Sequence, residues 1–149
     1  MKKIVSYAAC LFIMSSAFAG PGSTLVEKFN QTFPNAQKVK WADAKAGYFV
    51  SFYQNGNFEK ILYDKDGDFN CSWKYSDGKS LPTNIVMVLN RKYADTKILG
   101  VTEFTTKDEV SYNVKLTKNT TLYSLDIASD GSIKKEEKYI NQNATDDNS

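Results

Sequence analysis

The side chains that could do chemistry in this 149-residue chain are carboxylates, lysines and two cysteines, because it contains no histidine. Without imidazole there is no Ser-His-Asp or Cys-His nucleophile pair, no paired-histidine zinc helix and no unperturbed side chain that titrates near neutral pH. Asp64, Asp66 and Asp68 alternate around Gly67, as acids do in a calcium loop. A hand-type loop needs glycine at its sixth position and glutamate at its twelfth. Here Gly67 is fourth and Tyr75 twelfth, so a charged Asp-Gly hairpin is the expected role. None of the 17 acidic residues forms a pair distinguished by spacing or apolar setting, which leaves glycosidase-like or aspartic chemistry without support. No catalytic residue, metal-ligand set or cofactor is expected.

The elements that must position any site begin after an export segment. Met1-Lys2-Lys3 is basic, Ile4 to Phe18 is mostly apolar and uncharged, and Ala17-Phe18-Ala19 is a small-x-small cleavage pattern before Gly20-Pro21-Gly22. Residues 1–19 therefore read as a secretory signal peptide. The apolar run falls short of the roughly 20 residues a spanning helix needs, so no membrane span is expected after cleavage. The expected destination is the periplasm or the medium. Cleavage removes Cys10 and leaves Cys71, which has no nearby base to make a thiolate and is expected to be a buried small hydrophobe. It also removes Lys2 and Lys3, leaving 17 bases against 17 acids. A nucleic-acid partner is not expected of so balanced a chain. At 42% hydrophobic and 24% charged residues the chain is foldable.

An offset of 64 residues aligns the chain with itself. Leu25 and Phe29 fall on Leu89 and Tyr93; Tyr48, Val50 and Phe52 on Tyr112, Val114 and Leu116; Ile61 and Tyr63 on Leu125 and Ile127; Asp66-Gly67 on Asp130-Gly131; Phe69 on Ile133. Such alignment of turns and strand faces implies internal duplication, with repeats over 20–80 and 81–140 and a disordered polar tail over 141–149. Each repeat opens on a helix pattern. Thr24-Leu25-Val26-Glu27 reads as a capping box, Leu25, Phe29 and Phe33 share a face, and Pro34 stops the run. Pro82 suits an early helical position, and Ile85, Leu89 and Tyr93 form the second stripe.

Four strand patterns follow in each repeat: Lys38 to Trp41, Gly47 to Tyr53, Phe58 to Tyr63 and Phe69 to Tyr75, then Ile98 to Thr105, Val110 to Thr117, Thr121 to Ala128 and Ser132 to Tyr139. Gln54-Asn55-Gly56-Asn57, Asp66-Gly67, Asn119-Thr120 and Asp130-Gly131 supply the hairpins. One helix on a four-strand meander buries its apolar surface poorly. The expected fold is therefore α+β, two helix-plus-four-stranded units forming one eight-stranded antiparallel sheet with both helices on one face.

Alternation assigns Val110, Tyr112, Val114 and Leu116, and by the offset Tyr48, Val50 and Phe52, to the helix face. The open face of the first repeat then carries Phe49, Tyr53, Phe58 and Leu62. These apolar groups on an open sheet are the candidate contact patch. Trp73 joins them, because its counterpart is Glu137 and the fold plan does not require it to be buried.

In order, Phe33-Pro34-Asn35-Ala36, Val39-Lys40-Trp41, Gly47-Tyr48-Phe49-Val50-Ser51-Phe52, Tyr63-Asp64-Lys65-Asp66-Gly67 and Leu81-Pro82 resemble the PepSY-like domains also described as beta-lactamase-inhibitor-like, exported bacterial proteins mostly of unknown function. The resemblance runs from about Leu25 to Tyr139. It implies the fold of the beta-lactamase inhibitor protein, a concave sheet that grips a partner, with the hairpin between the second and third strands of each unit entering the partner's active site. The matching positions are Gln54, Asn55, Gly56 and Asn57, and Lys118, Asn119 and Thr120. Neither hairpin has the acidic or aromatic side chain that the inhibitor uses there.

The expectation is a non-enzymatic exported domain that engages a protein or peptide through the open face and hairpins, with an exported hydrolase as a class it would inhibit or regulate. The alternative is a small-ligand, glycan or lipid binder of the cell envelope, since Phe and Tyr platforms also suit sugars and lipids.

Overall fold

The computed structural model describes residues 20–140; the signal segment and the tail lie outside the described residues. Two helices and eight strands follow in the order α1 (Ser23–Thr32), β1 (Gln37–Ala44), β2 (Gly47–Gln54), β3 (Asn57–Asp64), β4 (Phe69–Ser76), α2 (Thr83–Lys92), β5 (Lys97–Thr106), β6 (Val110–Lys118), β7 (Thr121–Ala128) and β8 (Ile133–Ile140). The strands form one open antiparallel sheet in chain order. The two halves are joined where β4 pairs with β5, from Cys71 opposite Thr106 to Ser76 opposite Val101.

Cross-strand partners share a face, and the rows through Val50, Ile61 and Ser72, and through Val101, Val114 and Leu125, lie on the helix side. Both helices pack on that side. Phe29 of α1 is buried against Val50, Phe52 and Ile61, with its ring 5.1 Å from Phe33, 5.4 Å from Trp41 and 5.1 Å from Phe52. Ile85 and Leu89 of α2 are buried on Val101, Tyr112, Val114, Leu116, Leu125 and Ile127. Among the described residues the sheet is thus covered on one face only, which is why its strands alternate.

Three local expectations are corrected. Thr24 does not cap α1: the helix starts at Ser23, and its first N–H bonds go to the carbonyl of Gly22, the N-cap, with no side-chain cap. The extended Pro21-Gly22 entry brings the chain in one residue early, and Glu27 instead accepts weakly from Gln31 one turn on. The 64-residue offset holds for β2, β3 and β4 against β6, β7 and β8 but is 60 for the helices, so Leu25 and Phe29 correspond to Ile85 and Leu89. The four extra residues of the second half lie in its first hairpin. There Phe104 and Ser111, the counterparts of Ala44 and Gly47, pair with six residues between them instead of two. Finally, β1 runs past Trp41 to Ala44. Ala42-Asp43-Ala44 has little strand propensity, and pairing with Gly47 to Phe49 holds it extended.

Candidate functional site

The open face is built by register. Tyr53 pairs with Phe58 and Phe58 with Tyr75, and their rings meet at 5.2 and 5.7 Å. Lys60 pairs with Trp73 and Trp73 with Phe104; Trp73 lies 6.1 Å from Phe49 and 5.3 Å from Phe104. Two aromatic rows therefore lie side by side, one running from β2 to β4 and the other reaching β5 through Trp73 and Phe104. Tyr53 and Tyr75 are exposed, at 44% and 42%, and Phe49, Phe58, Trp73 and Phe104 are half-buried. Each ring shields its neighbours while showing solvent a face or an edge.

Of the residues named from sequence, Phe49, Tyr53, Phe58, Leu62 and Trp73 come together on this surface. Leu62 pairs with Cys71 and, with the flanking Phe49 and Trp73, leaves the thiol buried; burial pushes the Cys71 thiol up. A bulge between Leu62 and Tyr63 reverses the facing of β4, so Phe69 packs on the α1 core while Cys71 faces the other way. Tyr75 and Phe104 were not anticipated. Tyr75 stands two residues from Trp73 and was open to the same alternation argument; Phe104 joins only through the β4–β5 register.

Gln54 and Asn57 close a two-residue hairpin in which Asn55 (φ 51°) and Gly56 (φ 78°) are both left-handed, the turn that matches strand twist. It extends the Tyr53–Phe58 row beyond the sheet. The second hairpin, Lys118, Asn119 and Thr120, leaves the same end of the sheet, four strand spacings or about 19 Å away. Lys118 donates to the Ala94 carbonyl at 3.4 Å and sits 3.6 Å from Asp95. That hairpin is thus tied to the α2–β5 connection and has no aromatic row beside it.

The second half of the open face is polar along its middle, with Leu99, Leu122 and Tyr139 exposed towards its hairpin end. Asn113 donates to Asp126 at 2.6 Å and to Ser124 at 3.2 Å, and Lys115 also reaches Ser124. Lys135 pairs with Glu137 at 2.9 Å, and Tyr139 donates to Glu137 at 3.0 Å. The hydrogen bond from Lys135, then that from Tyr139, holds the Glu137 carboxyl below the usual carboxylate range. At the far end of the sheet, Asp64 accepts the N–H groups of Asp66 and Asp68 at 3.0 and 2.9 Å, closing an Asx turn. Among the described residues no three His, Cys, Asp or Glu side chains gather closely enough to hold a metal ion.

No family model matches the chain, and no curated protein is significantly similar to it. Solved structures are similar in fold. A Bacteroides eggerthii protein provisionally assigned to the periplasm superposes with a TM-score of 0.63 at 14% identity, covering 80% of this chain and 90% of the other. A BLIP-like protein from Bacteroides fragilis gives 0.61 at 15%, covering 81% and 88%. A DUF2874 family protein from Bacteroides uniformis gives 0.61 at 16%, covering 78% and 88%. At such identities the likeness is one of fold, and the fold of this chain is BLIP-like.

Proposed function

We propose that this chain is an exported, periplasmic or secreted, non-enzymatic binding protein that engages a protein or peptide through the aromatic half of its open sheet face and the adjoining hairpin at Gln54 to Asn57. The observation that carries the reading is the pair of part-exposed aromatic rows on a sheet face that neither helix covers. Contiguous apolar surface of that kind marks interaction sites, and aromatic side chains dominate binding energy where they are buried by a partner. Export is supported by the signal-like segment 1–19 and by the provisional periplasmic assignment of a neighbour in fold. The absence of histidine and the tying of the open-face carboxylates Asp126 and Glu137 into hydrogen bonds speak for binding over catalysis. Duplication of an ancestral helix-plus-four-strand unit and kinship with PepSY-like domains belong to the same reading. An exported hydrolase is a partner class consistent with it.

The surface favours a macromolecular partner over a small ligand. Small-molecule sites are concave, and the best-formed pockets, of 320 to 660 Å³, lie along the helices, beside the first hairpin at Asn55 to Asn57 and near Leu99, Leu122 and Tyr139; none of them is lined by an aromatic side chain of the two rows. The test is affinity capture from envelope extract with the wild-type protein and with Tyr53→Ser/Phe58→Ser. Wild type is expected to retain a stoichiometric protein that the double variant loses, with the two melting alike. Equal capture by both, or saturable retention of a glycan or lipid with no protein, would reject the proposal.

A further inference from the structure

We infer that the segment recognised by the aromatic face is an acidic peptide, its carboxylates meeting Lys38, Lys40 and Lys60; this rests on the peptide-binding reading above. Lys60 holds its Nζ 3.9 Å from the centroid of the Phe49 ring, and Lys38 holds its Nζ 5.5 Å from that of Tyr53. Lys40 pairs with Ser51, which lies between Phe49 and Tyr53 on β2, so it shares their face. Among the described residues none of these three lysines takes part in an ion pair. Strand alternation places one carboxylate on this face within β1 to β5, that of Asp64, and it is engaged in its own turn at the sheet end. On the polar half of the same face, Lys135 already has an acidic partner and Lys115 donates to Ser124.

The backbone supports the same reading. Lys38 is in the left-handed region, φ 53°, inside a register shift between Gln37 and Lys40, a conformation that costs a non-glycine residue about 1 to 2 kcal/mol. The bulge carries its ammonium to the Tyr53 ring and interrupts the free edge of β1, which disfavours strand addition there. On this side of the sheet a partner is met by the face and not by the strand edge. An ammonium over a ring keeps its N–H groups for a carboxylate, and burial of both strengthens the attraction. Three spaced lysines in a chain whose 17 bases and 17 acids balance after cleavage suit a few carboxylates better than a phosphate backbone, which demands a basic track.

The test is selection of random twelve-residue displayed peptides on the whole protein at low salt. The expected pool is rich in Asp and Glu. A synthesised member should bind about tenfold or more weakly to Lys38→Glu/Lys40→Glu/Lys60→Glu, with the melting temperature of the variant as its control for folding. Wild type in 0.5 M salt should show a loss in the same direction without any substitution. A pool without acid enrichment that still depends on Tyr53 and Phe58 would overturn the acidic partner and leave the peptide-binding reading standing. Recovery of no peptide, or of peptides indifferent to both sets of substitutions, would overturn both. A twelve-residue oligo-dT that displaces the selected peptide at equal concentration would overturn the acidic-peptide assignment in favour of nucleic acid.

Discussion

Gly47, which opens β2, and Gly56, in the turn that follows it, both have positive φ, at +151° and +78°, yet their surroundings differ. A Cβ on Gly47 would press into the Tyr63 carbonyl oxygen and lie 2.6 Å from the Asp64 carbonyl carbon; one on Gly56 meets nothing within 4 Å. Gly47→Ala must therefore displace the β2–β3 ladder and should cost about 3 kcal/mol. Gly56→Ala bears only the left-handed backbone penalty, about 1 kcal/mol. Urea titration of the two variants checks this, and equal losses would contradict it. The Asn55-Gly56 turn was legible because its chemistry is local. Gly47 looked like an ordinary strand residue, since the atoms that forbid a side chain there come from a neighbouring strand.

At the scale of elements, the end of α2 is pinned to the last strands by Tyr93, which meets the Tyr123 ring edge-on at 5.7 Å and donates its hydroxyl hydrogen bond to Glu136 at 2.8 Å. Burial first, then the hydrogen bond to Glu136 and its charge, push the Tyr93 phenol up to about 12 from its ordinary 10.0. The folded state thus holds this proton more tightly than the unfolded chain. The contribution is fully present below pH 10.0 and is lost as pH rises towards 12. Urea melts between pH 9 and about 11.5 should show wild type losing stability faster than Tyr93→Phe; parallel slopes would contradict the pin. The helix itself was legible from its four-residue stripe, but its partner in the first half was not. A displacement of four residues is close to one turn of 3.6, so Leu89 and Tyr93 align with Leu25 and Phe29 almost as well by pattern as Ile85 and Leu89 do by structure.

For the whole molecule, the junction between halves is an ordinary antiparallel ladder, six residue pairs between β4 and β5, so the halves share hydrogen bonds as adjacent strands do. The protein should melt in one transition with equal calorimetric and van't Hoff enthalpies; two resolved transitions would show that the halves fold independently. The sequence by itself determined the α+β class, seven of the eight strands to within a residue of their ends, the helix faces, the hairpin turns and the aromatic character of one open half-face. These follow from alternation, apolar spacing and turn residues, all of them local. Tertiary structure decided the rest: that β1 continues through Ala42-Asp43-Ala44, that Cys71 faces away from the helices, that Phe104 completes the row of Trp73, and that Lys38 and Lys60 lie over Tyr53 and Phe49. Each of these depends on register, bulges or pairing between distant segments, which the packed sheet selects and no local pattern encodes.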